Sequence, residues 1–371
     1  MKQLETATCE GTNAPTVMDD VGTSGMPAGV VAVGAAVPDD VLTNAELERM
    51  VETSDEWIVK RTGIRERRIA PEGIAASHLA ESAARDALAK AGMKPGELDL
   101  IVVATVTGDM PVPSTACLLQ ERIDAPRAAC FDLSAGCTGF LYALSVAGHM
   151  VAYGNYSRAM VVGVEVLSRV TDWSDRGTCV LFGDGAGAVI VRPVSTGSGI
   201  LSIHIGSDGG TADLLKMPAG GSLYPASAQT VQDGLHTLKM KGREIYTLAI
   251  RNMAQSVNQV LQDAGCALDE VDCLIPHQAN ARIIKSLCDR LGFPMEKTAV
   301  NIGKYGNTSS ASIPLALVDA EECGMLAAGD LAVLVSFGAG LTWGAVLLRW
   351  GGTDGGVGGG SGDGESAIGE G

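Results

Sequence analysis

Aromatic and basic side chains are scarce in this chain of 371 residues, and both shortages exclude classes of protein. Phe, Trp and Tyr make up 4% of the sequence, and 27 Lys and Arg stand against 43 Asp and Glu, a formal net charge of −16 at pH 7. Nucleic-acid binding needs basic grooves and aromatic stacking platforms, so the composition argues against a nucleic-acid partner. A local cluster of arginines that binds an acidic ligand stays compatible with it.

The sequence also lacks a membrane segment, a signal peptide and a disulfide framework. No uninterrupted apolar run is long enough to span a bilayer. The N-terminal 20 residues have neither the basic and hydrophobic regions of a secretory signal nor the low acidity of a transit peptide. The nine cysteines are odd in number and irregularly spaced, which predicts reduced thiols. We therefore expect a cytoplasmic protein without a membrane partner.

The two ends of the chain differ in composition from its middle. Residues 1–26 carry little periodic apolar content, and residues 351–371 are mostly glycine with acidic residues. Such segments cannot bury enough surface to offset the entropy lost on ordering. We predict that 1–26 and 351–371 are disordered tails outside the folded part.

Between the tails, β-rich runs alternate with helical patterns, which is typical of an α/β fold with helices covering sheets. The runs predict strands at 99–106, 158–166, 187–194, 272–277, 331–337 and 344–350. The helical patterns lie at about 43–53, 77–91, 114–123, 138–153, 242–264, 279–291 and 310–323.

The chain also repeats itself. "AGMKPGELDLIVV" (91–103) aligns with "AGCALDEVDCLIP" (264–276) at an offset of 173, and further segments share that offset. Chance similarity between two α/β segments is the alternative explanation, but the shared offset favours duplication. We predict two duplicated halves, 27–198 and 199–350, with a functional site where they meet.

Cys137 is the first candidate for chemistry, in "DLSAGCTGF" (132–140). It precedes a run that is apolar on nearly every face, which predicts a fully buried helix. A cysteine at a helix N-terminus lies at the positive end of the backbone dipole, which favours the thiolate. Most buried cysteines are only structural. The strand–turn–helix setting among small residues favours a nucleophile here.

Three more motifs are candidates: His277 in "IPHQANARI" at the end of a predicted strand, Asn307 in "KYGNTSSAS", a loop of small polar residues that opens a helix, and the glycine turn of "SFGAGLTWG" (336–344). Each has a structural alternative, namely a strand-end histidine, a helix cap and an ordinary turn. The five histidines lack metal-ligand spacing, so we expect no metal. A thiol, an imidazole, an amide and a turn of free N–H groups suit covalent acyl chemistry. Papain-like proteases use the same residue types in the same order, so these residues alone leave two options.

These four motifs, in this order and spacing, resemble the β-ketoacyl-acyl-carrier-protein (ACP) synthase III family. "SDEWIVKRTGIRERR" (54–68) and "DRGTCVLFGDGAGAV" (175–189) are similar to the same family, and the resemblance covers about residues 28–350. It implies a thiolase-like fold, in which two duplicated halves stack as α-β-α-β-α layers, and a homodimer. It also implies the initiating condensation of bacterial type II fatty-acid synthesis.

The resemblance implies a role for each motif. Cys137 would accept the acyl group of an acyl-CoA, with the oxyanion held between the N–H groups of Cys137 and Gly340. His277, in its neutral form, and Asn307 would donate hydrogen bonds to the thioester oxygen of malonyl-ACP as CO2 leaves. The product is a 3-oxoacyl-ACP, and no cofactor is expected.

The resemblance also implies binding residues, although each has a plainer alternative as a half-buried aromatic or a solvated charge. Trp57 and Arg176 would sandwich the adenine of CoA, with Arg61, Asn280 and Arg282 near its phosphates and pantetheine. ACP would dock on Arg282, Lys285 and Arg290. Val112, in "TGDMPVPSTA" (107–116), corresponds to a position that closes the acyl pocket across the dimer and is often a bulky aromatic. A smaller side chain there predicts a longer or branched starter.

Other functions of the same fold stay open at this point. A specialised condensing or acyltransferase relative in polyketide or secondary metabolism would keep the same three residues. A silent scaffolding subunit would have lost one of Cys137, His277 or Asn307, and none is lost. A degradative thiolase would need a second cysteine in the glycine turn, which has none.

Overall fold

The computed structural model describes residues 25–351. Nearly all of the two predicted tails, residues 1–24 and 352–371, lies outside the described residues, so their disorder stays a prediction. No helix in the described part of the chain is both long and apolar enough to cross a membrane.

The first half of the described chain contains seven strands and five helices. They are β1 (Ala28–Ala36), β2 (Val41–Thr43), α1 (Asn44–Leu47), α2 (Asp55–Thr62), β3 (Glu66–Arg68), α3 (Ala76–Lys90), β4 (Leu100–Ala104), α4 (Thr115–Ile123), β5 (Ala129–Leu133), α5 (Gly139–Ala152), β6 (Ala159–Val166) and β7 (Asp184–Pro193).

The second half adds six strands and five helices to the described chain. They are β8 (Gly199–Ser207), β9 (Leu215–Lys216), α6 (Ala228–Gln232), β10 (Lys239–Met240), α7 (Gly242–Ala264), β11 (Cys273–Pro276), α8 (Ala281–Leu291), α9 (Ile302–Tyr305), α10 (Ser312–Glu322), β12 (Leu331–Gly338) and β13 (Thr342–Arg349).

Two mixed sheets form the frame of the molecule. The first has the order β1-β7-β6-β4-β5 and the second β8-β13-β12-β11. In both, two neighbouring strands run parallel, β4 with β6 and β11 with β12, and the rest of the shared order is antiparallel. The order of the second sheet therefore repeats that of the first, without a full counterpart of β5.

The sheets and helices form five layers. Helices α5 and α10 lie between the two sheets, in one core with Val102 of β4 and Leu334 of β12. Helices α3 and α4 cover the outer surface of the first sheet, and α7 and α8 that of the second. The α-β-α-β-α thiolase-like arrangement is thus confirmed. Helix α5 is apolar on nearly every side because sheets cover it on both sides.

Two short 3-10 turns open the central helices. Gly136–Thr138, which we call the Cys137 turn, leads into α5, and Ser309–Ala311, which we call the Ser310 turn, leads into α10. The two turns are separated by the same offset of 173 residues as the sequence repeat. They pack together where the halves meet.

Most predicted elements are present with ends shifted by one or two residues, and one prediction was wrong. The helix expected at 43–53 is only α1, four residues long, and the longer helix is α2. A capping box of Thr43 and Glu46 starts α1, which ends at Leu47. Residues 48–54 are not helical, and Ser54 caps the separate helix α2, which the sequence did not predict. Strands β1, β5 and β8 escaped the sequence analysis.

Candidate active site

Cys137 lies in its turn between the end of β5 and the buried helix α5. The Ser336 hydroxyl of β12 donates to the Cys137 carbonyl oxygen over 2.9 Å. Gly338 lies against the backbone of the turn, since a Cβ there would fall 2.6 Å from the Cys137 nitrogen. A strand of the second half therefore fixes the nucleophile candidate of the first.

His277 follows β11 directly and is 3% exposed. Its backbone N–H donates to the Val335 carbonyl over 2.8 Å, which continues the parallel pairing of β11 with β12. Its Nδ1 atom is buried without a hydrogen-bond partner. The imidazole is thus placed by its backbone, and its ring nitrogens are left for a ligand.

Asn307 is held by backbone pairing with residues 181–183. Its N–H donates to the Leu181 carbonyl over 2.8 Å, and its carbonyl accepts from the Gly183 N–H over 3.0 Å. The side-chain Oδ1 accepts from the Ser309 N–H over 2.9 Å. Because that bond orients the amide, its Nδ2 group is left as a donor.

The structure brings these three residues together in the wall of one cavity of about 140 Å³. Its lining is mostly apolar and includes Met240, Ile245 and Phe337, and it reaches the surface at the exposed Gly242. A second cavity of about 140 Å³ has Cys137 in its wall as well, with an apolar lining of Val106, Leu167, Val170, Phe182, Leu215, Met217 and Leu238. The thiol therefore stands between two cavities with mostly apolar linings.

Burial holds both reactive groups uncharged. It raises the pKa of the Cys137 thiol to about 11, against a hydrogen bond from Ser309 that lowers it. It lowers the pKa of His277 to about 3. At neutral pH the site therefore contains a neutral thiol and a neutral imidazole, the state in which the imidazole donates a hydrogen bond without carrying charge.

The glycine turn is placed differently from the sequence expectation at Gly340. The turn residues beside Cys137 in the two cavities are Gly338 and Ala339, while Gly340 lines neither. A Cβ on Gly136 would fall 2.8 Å from the Ala339 nitrogen, whereas the nearest atoms to one on Gly340 belong to Thr342. The hairpin between β12 and β13 has already turned away at Gly340.

The residues expected to bind CoA form one group at the surface. The guanidinium carbons of Arg61 and Arg176 lie 5.2 and 4.5 Å from the Trp57 ring centroid. The Asn280 amide donates to the Arg61 carbonyl over 3.0 Å and its Oδ1 caps α8. Asn280 also lines the Cys137 cavity. The group therefore continues into the mouth of the site.

The basic residues of α8 are exposed but differ in their partners. Arg282 lies 5.8 Å from the Tyr246 ring centroid, and Tyr246 lines the Cys137 cavity. Lys285 forms an ion pair with Asp289 over 2.6 Å. Arg290, in the last turn, lines a shallow polar groove with Arg251.

Val112 stands apart from this group. It is 82% exposed and lines neither cavity of the single chain, whereas Val106 at the start of the same loop lines the second. Contact of Val112 with an acyl group therefore depends on a partner subunit.

Two functional candidates escaped the sequence analysis, Glu165 and Ser309. Glu165 is fully buried on β6, and Ser309 lines the second cavity beside Cys137. An acidic residue inside the apolar run "MVVGVEV" was the available indication for Glu165. Ser309 lies two residues after Asn307 in "KYGNTSSAS", the motif that pointed to Asn307.

Family models and known proteins match most of the described part of the chain. The family model of the 3-oxoacyl-ACP synthase III C-terminal region matches residues 261–350, and that of 3-oxoacyl-ACP synthase III matches 131–209. The β-ketoacyl-ACP synthase III of Symbiobacterium thermophilum is 54% identical over 325 residues, 88% of this chain and 98% of that protein. That of Geobacillus kaustophilus is 50% identical over 88% of this chain and 100% of that protein.

Solved structures extend the comparison. The 3-oxoacyl-ACP synthase III of Aquifex aeolicus has a TM-score of 0.81 and 46% identity, and covers 87% of this chain and 100% of its own. The priming β-ketosynthase of the R1128 polyketide pathway has a TM-score of 0.82 but only 34% identity, over 91% of this chain and 99% of its own. The polyketide relative is therefore the more distant one in sequence.

Two sheets around a central helix pair, with the relatives above, define an acyl-transferring condensing enzyme of thiolase-like fold. The chain belongs to the β-ketoacyl-ACP synthase III family.

Proposed function

We propose that this enzyme transfers the acyl group of an acyl-CoA to the sulfur of Cys137 and then condenses it with malonyl-ACP. The products are 3-oxoacyl-ACP, CoA and CO2, and the reaction initiates fatty-acid synthesis. One observation carries the proposal: Cys137, His277 and Asn307, which are far apart in the chain, line a single cavity that reaches the surface.

In the first step the Cys137 sulfur attacks the carbonyl carbon of the acyl-CoA thioester. The bond from that carbon to the CoA sulfur breaks, and the proton of the Cys137 thiol ends on CoA. The N–H of Ala339 lies beside the turn, so we assign to it, with the N–H of Cys137, the stabilisation of the oxyanion. The acyl chain enters the apolar second cavity.

In the second step malonyl-ACP occupies the cavity that CoA has left. His277 and the Asn307 Nδ2 group donate hydrogen bonds to its thioester oxygen and stabilise the enolate formed as CO2 departs. The enolate carbon attacks the acyl carbonyl, the bond to the Cys137 sulfur breaks, and the released thiolate takes a proton from solvent to regenerate the thiol. Thiol, imidazole, amide and backbone N–H groups supply these steps, so the proposed reaction needs no cofactor or metal.

We assign CoA recognition to the surface group beside the mouth. Trp57 and Arg176 enclose the adenine, and Arg61, Asn280 and Arg282 bind the phosphates and pantetheine. The stacking of the two guanidinium groups on the Trp57 ring supports this assignment. A ring surface that binds a flat guanidinium group is also suited to stacking with adenine. Arg282, Lys285 and Arg290 of α8 form the ACP-docking surface, with Lys285 weakened by its pairing with Asp289.

We further propose a cytoplasmic homodimer. The first sheet ends at β5, whose outer edge is unpaired in the described chain, and an open strand edge is suited to pairing with a second copy. The exposed Val112 and Met110 lie in the loop before α4, which adjoins β5. The eight cysteines of the described residues are free thiols, as in a reducing compartment. Sedimentation of the full chain tests the dimer.

The deciding experiment is the intact mass of the protein after reaction with a panel of acyl-CoAs. We expect one acyl adduct, lost in Cys137→Ala, kept in the exposed-thiol control Cys117→Ala, and discharged by malonyl-ACP. The preferred acyl group identifies the starter. An adduct that survives in Cys137→Ala, or none from any acyl-CoA, would overturn the proposed first step.

A further inference from the structure

Glu165 is a buried carboxylate that the proposed steps do not use. It lies on β6 with 0% of its surface exposed. Five groups donate hydrogen bonds to it, which saturates the lone pairs of an ionised carboxylate. They are the Val106 N–H and the hydroxyls of Thr105, Thr107, Ser309 and Ser310. Burial raises the pKa of Glu165 above its ordinary value, against the Thr107, Val106, Ser309 and Ser310 donors, which lower it.

The two carboxylate oxygens bind different halves of the molecule. Oε2 accepts from the Thr107 hydroxyl over 2.5 Å and from the Val106 N–H over 3.1 Å, in the segment after β4. Oε1 accepts from the hydroxyls of Ser309 and Ser310, each over 3.1 Å. Glu165 therefore ties the wall of the second cavity at Val106 to the segment that carries Asn307.

Ser309 is the link between this carboxylate and the reactive groups. Its φ of 49° lies in the left-handed region, which is unfavourable for a residue with a Cβ and persists only where surrounding contacts hold it. Its N–H donates to Asn307 Oδ1, and its hydroxyl, which donates to Glu165, belongs to a residue that lines the second cavity beside Cys137. A shift of Ser309 therefore disturbs both the amide and the surroundings of the thiol.

We propose that Glu165 is a positioning residue of the condensation and acts through Ser309. It holds the Asn307 amide and the Cys137 thiol at fixed positions relative to the cavity wall at Val106. The inference rests on the proposed function, because it assigns how the catalytic groups of that reaction are aligned. Within the described residues no hydrogen bond joins Glu165 to Cys137 or His277, so its role is alignment and not proton transfer to the substrate.

Two half-reactions test the proposal on the full-length protein, each corrected for the folded fraction. One is the rate of the acyl adduct at Cys137, and the other is the conversion of malonyl-ACP to acetyl-ACP and CO2, both followed by mass. In Glu165→Gln an NH2 group that cannot accept replaces one oxygen. Either the Val106 N–H then loses its acceptor, or the Ser309 and Ser310 hydroxyls must rotate to accept and no longer donate to residue 165. We expect both rates to fall about 10- to 100-fold, as for a displacement of about 1 Å.

A conservative variant and a matched control separate alignment from stability. Glu165→Asp keeps the acceptor and should restore part of both rates. Asp184 on β7 is also fully buried, accepts from the Ala70 N–H and from the N–H and hydroxyl of Ser168, and is not among the residues that line either cavity. Asp184→Asn should lower the melting temperature and leave both rates of the folded protein near wild type.

The outcomes are distinct. Wild-type rates in folded Glu165→Gln, or an equal loss in Asp184→Asn, overturn the positioning role. If Glu165→Gln does not fold, Ser309→Ala decides, because it removes only the linking hydroxyl: a loss of both rates of about tenfold or more supports the role, and unchanged rates overturn it. A wild-type protein that forms no adduct would instead refute the proposed function itself.

Discussion

Two equivalent turns meet at the centre of the molecule, one from each half, and each packs against a strand of the other half. The Cys137 turn adjoins β12, where Ser336 donates to the Cys137 carbonyl. The Ser310 turn adjoins β6, where a Cβ on Gly163 would fall 2.2 Å from the Ser310 carbonyl oxygen. Duplication thus supplied two buried helix N-termini in one place.

The two turns differ in what their central side chains contact. The Ser310 hydroxyl shares its one hydrogen between the Ala104 carbonyl oxygen, at 2.9 Å, and the Glu165 carboxylate, at 3.1 Å, so it has no donor left for a ligand. The Cys137 thiol lines two cavities instead. A helix N-terminus is therefore not sufficient for a reactive site, because the side chain must also border space for a substrate. The second half contributes an enclosed turn and, in the proposed reaction, the hydrogen-bond donors His277 and Asn307.

The strongest prediction exchanges the thiol between the turns. Cys137→Ala should lower condensation at least about a thousandfold, since the covalent step is lost. The double variant Cys137→Ala/Ser310→Cys should regain no adduct, because the new thiol is enclosed between Ala104 and Glu165. Intact mass after acyl-CoA treatment measures it. An adduct on the transplanted thiol would show that the turns are interchangeable after all.

A second pair of variants disturbs each turn through the strand that abuts it. Gly338→Ala places a Cβ 2.6 Å from the Cys137 nitrogen and should slow acyl transfer about 100-fold, more than malonyl-ACP decarboxylation. Gly163→Ala presses on Ser310 and should affect decarboxylation more. Urea titration confirms that the protein measured is folded. Equal losses of both half-reactions in both variants would contradict the assignment of acyl transfer to the Cys137 turn and of decarboxylation to the Ser310 turn.

A third prediction concerns the charge state of the second half's imidazole. Burial lowers the pKa of His277 from 6.5 to about 3, so between these values the unfolded chain binds one proton more than the folded protein. Stability then decreases as the pH falls through this window, by roughly 1.4 kcal/mol per pH unit from this group. His277→Asn should flatten the pH dependence of urea unfolding between pH 6.5 and 4. An unchanged slope would mean that His277 is protonated in the folded enzyme.

The smallest predicted effect is on KM for malonyl-ACP, and it distinguishes the outer helices α4 and α8. Arg290 lies in the last turn of α8 and Arg122 in the last turn of its counterpart α4. Arg122 already binds the Ser77 hydroxyl and pairs with Glu81, so its charge is used within the first half. Arg290→Ala should raise KM for malonyl-ACP about threefold at low salt and less at high salt, and Arg122→Ala should leave it unchanged. The reverse result would place ACP on the other outer face.

Local pattern predicted much of this architecture and the three central residues. Buried runs of apolar residues revealed the inner strands, and strand–turn–helix transitions revealed Cys137, His277 and Asn307. The less apolar or edge strands β1, β5 and β8 were missed, because their pattern is weak where one face is only partly covered. Residues 43–62 contain two helices, each started by its own N-cap, at Thr43 and at Ser54. Apolar periodicity does not show these caps.

The sequence by itself predicted most of the elements, the repeat and the candidate residues Cys137, His277 and Asn307, because helix and strand periods and glycine turns are properties of neighbouring residues. Only the tertiary structure decided which groups act together. Ala339, and not the expected Gly340, lies beside the Cys137 thiol, because the chain between β12 and β13 has turned away from the thiol at Gly340. Glu165 reaches Ser309 across 144 residues of chain. Such contacts form only when the two halves pack against each other, and the pattern of neighbouring residues does not show which distant residues will meet.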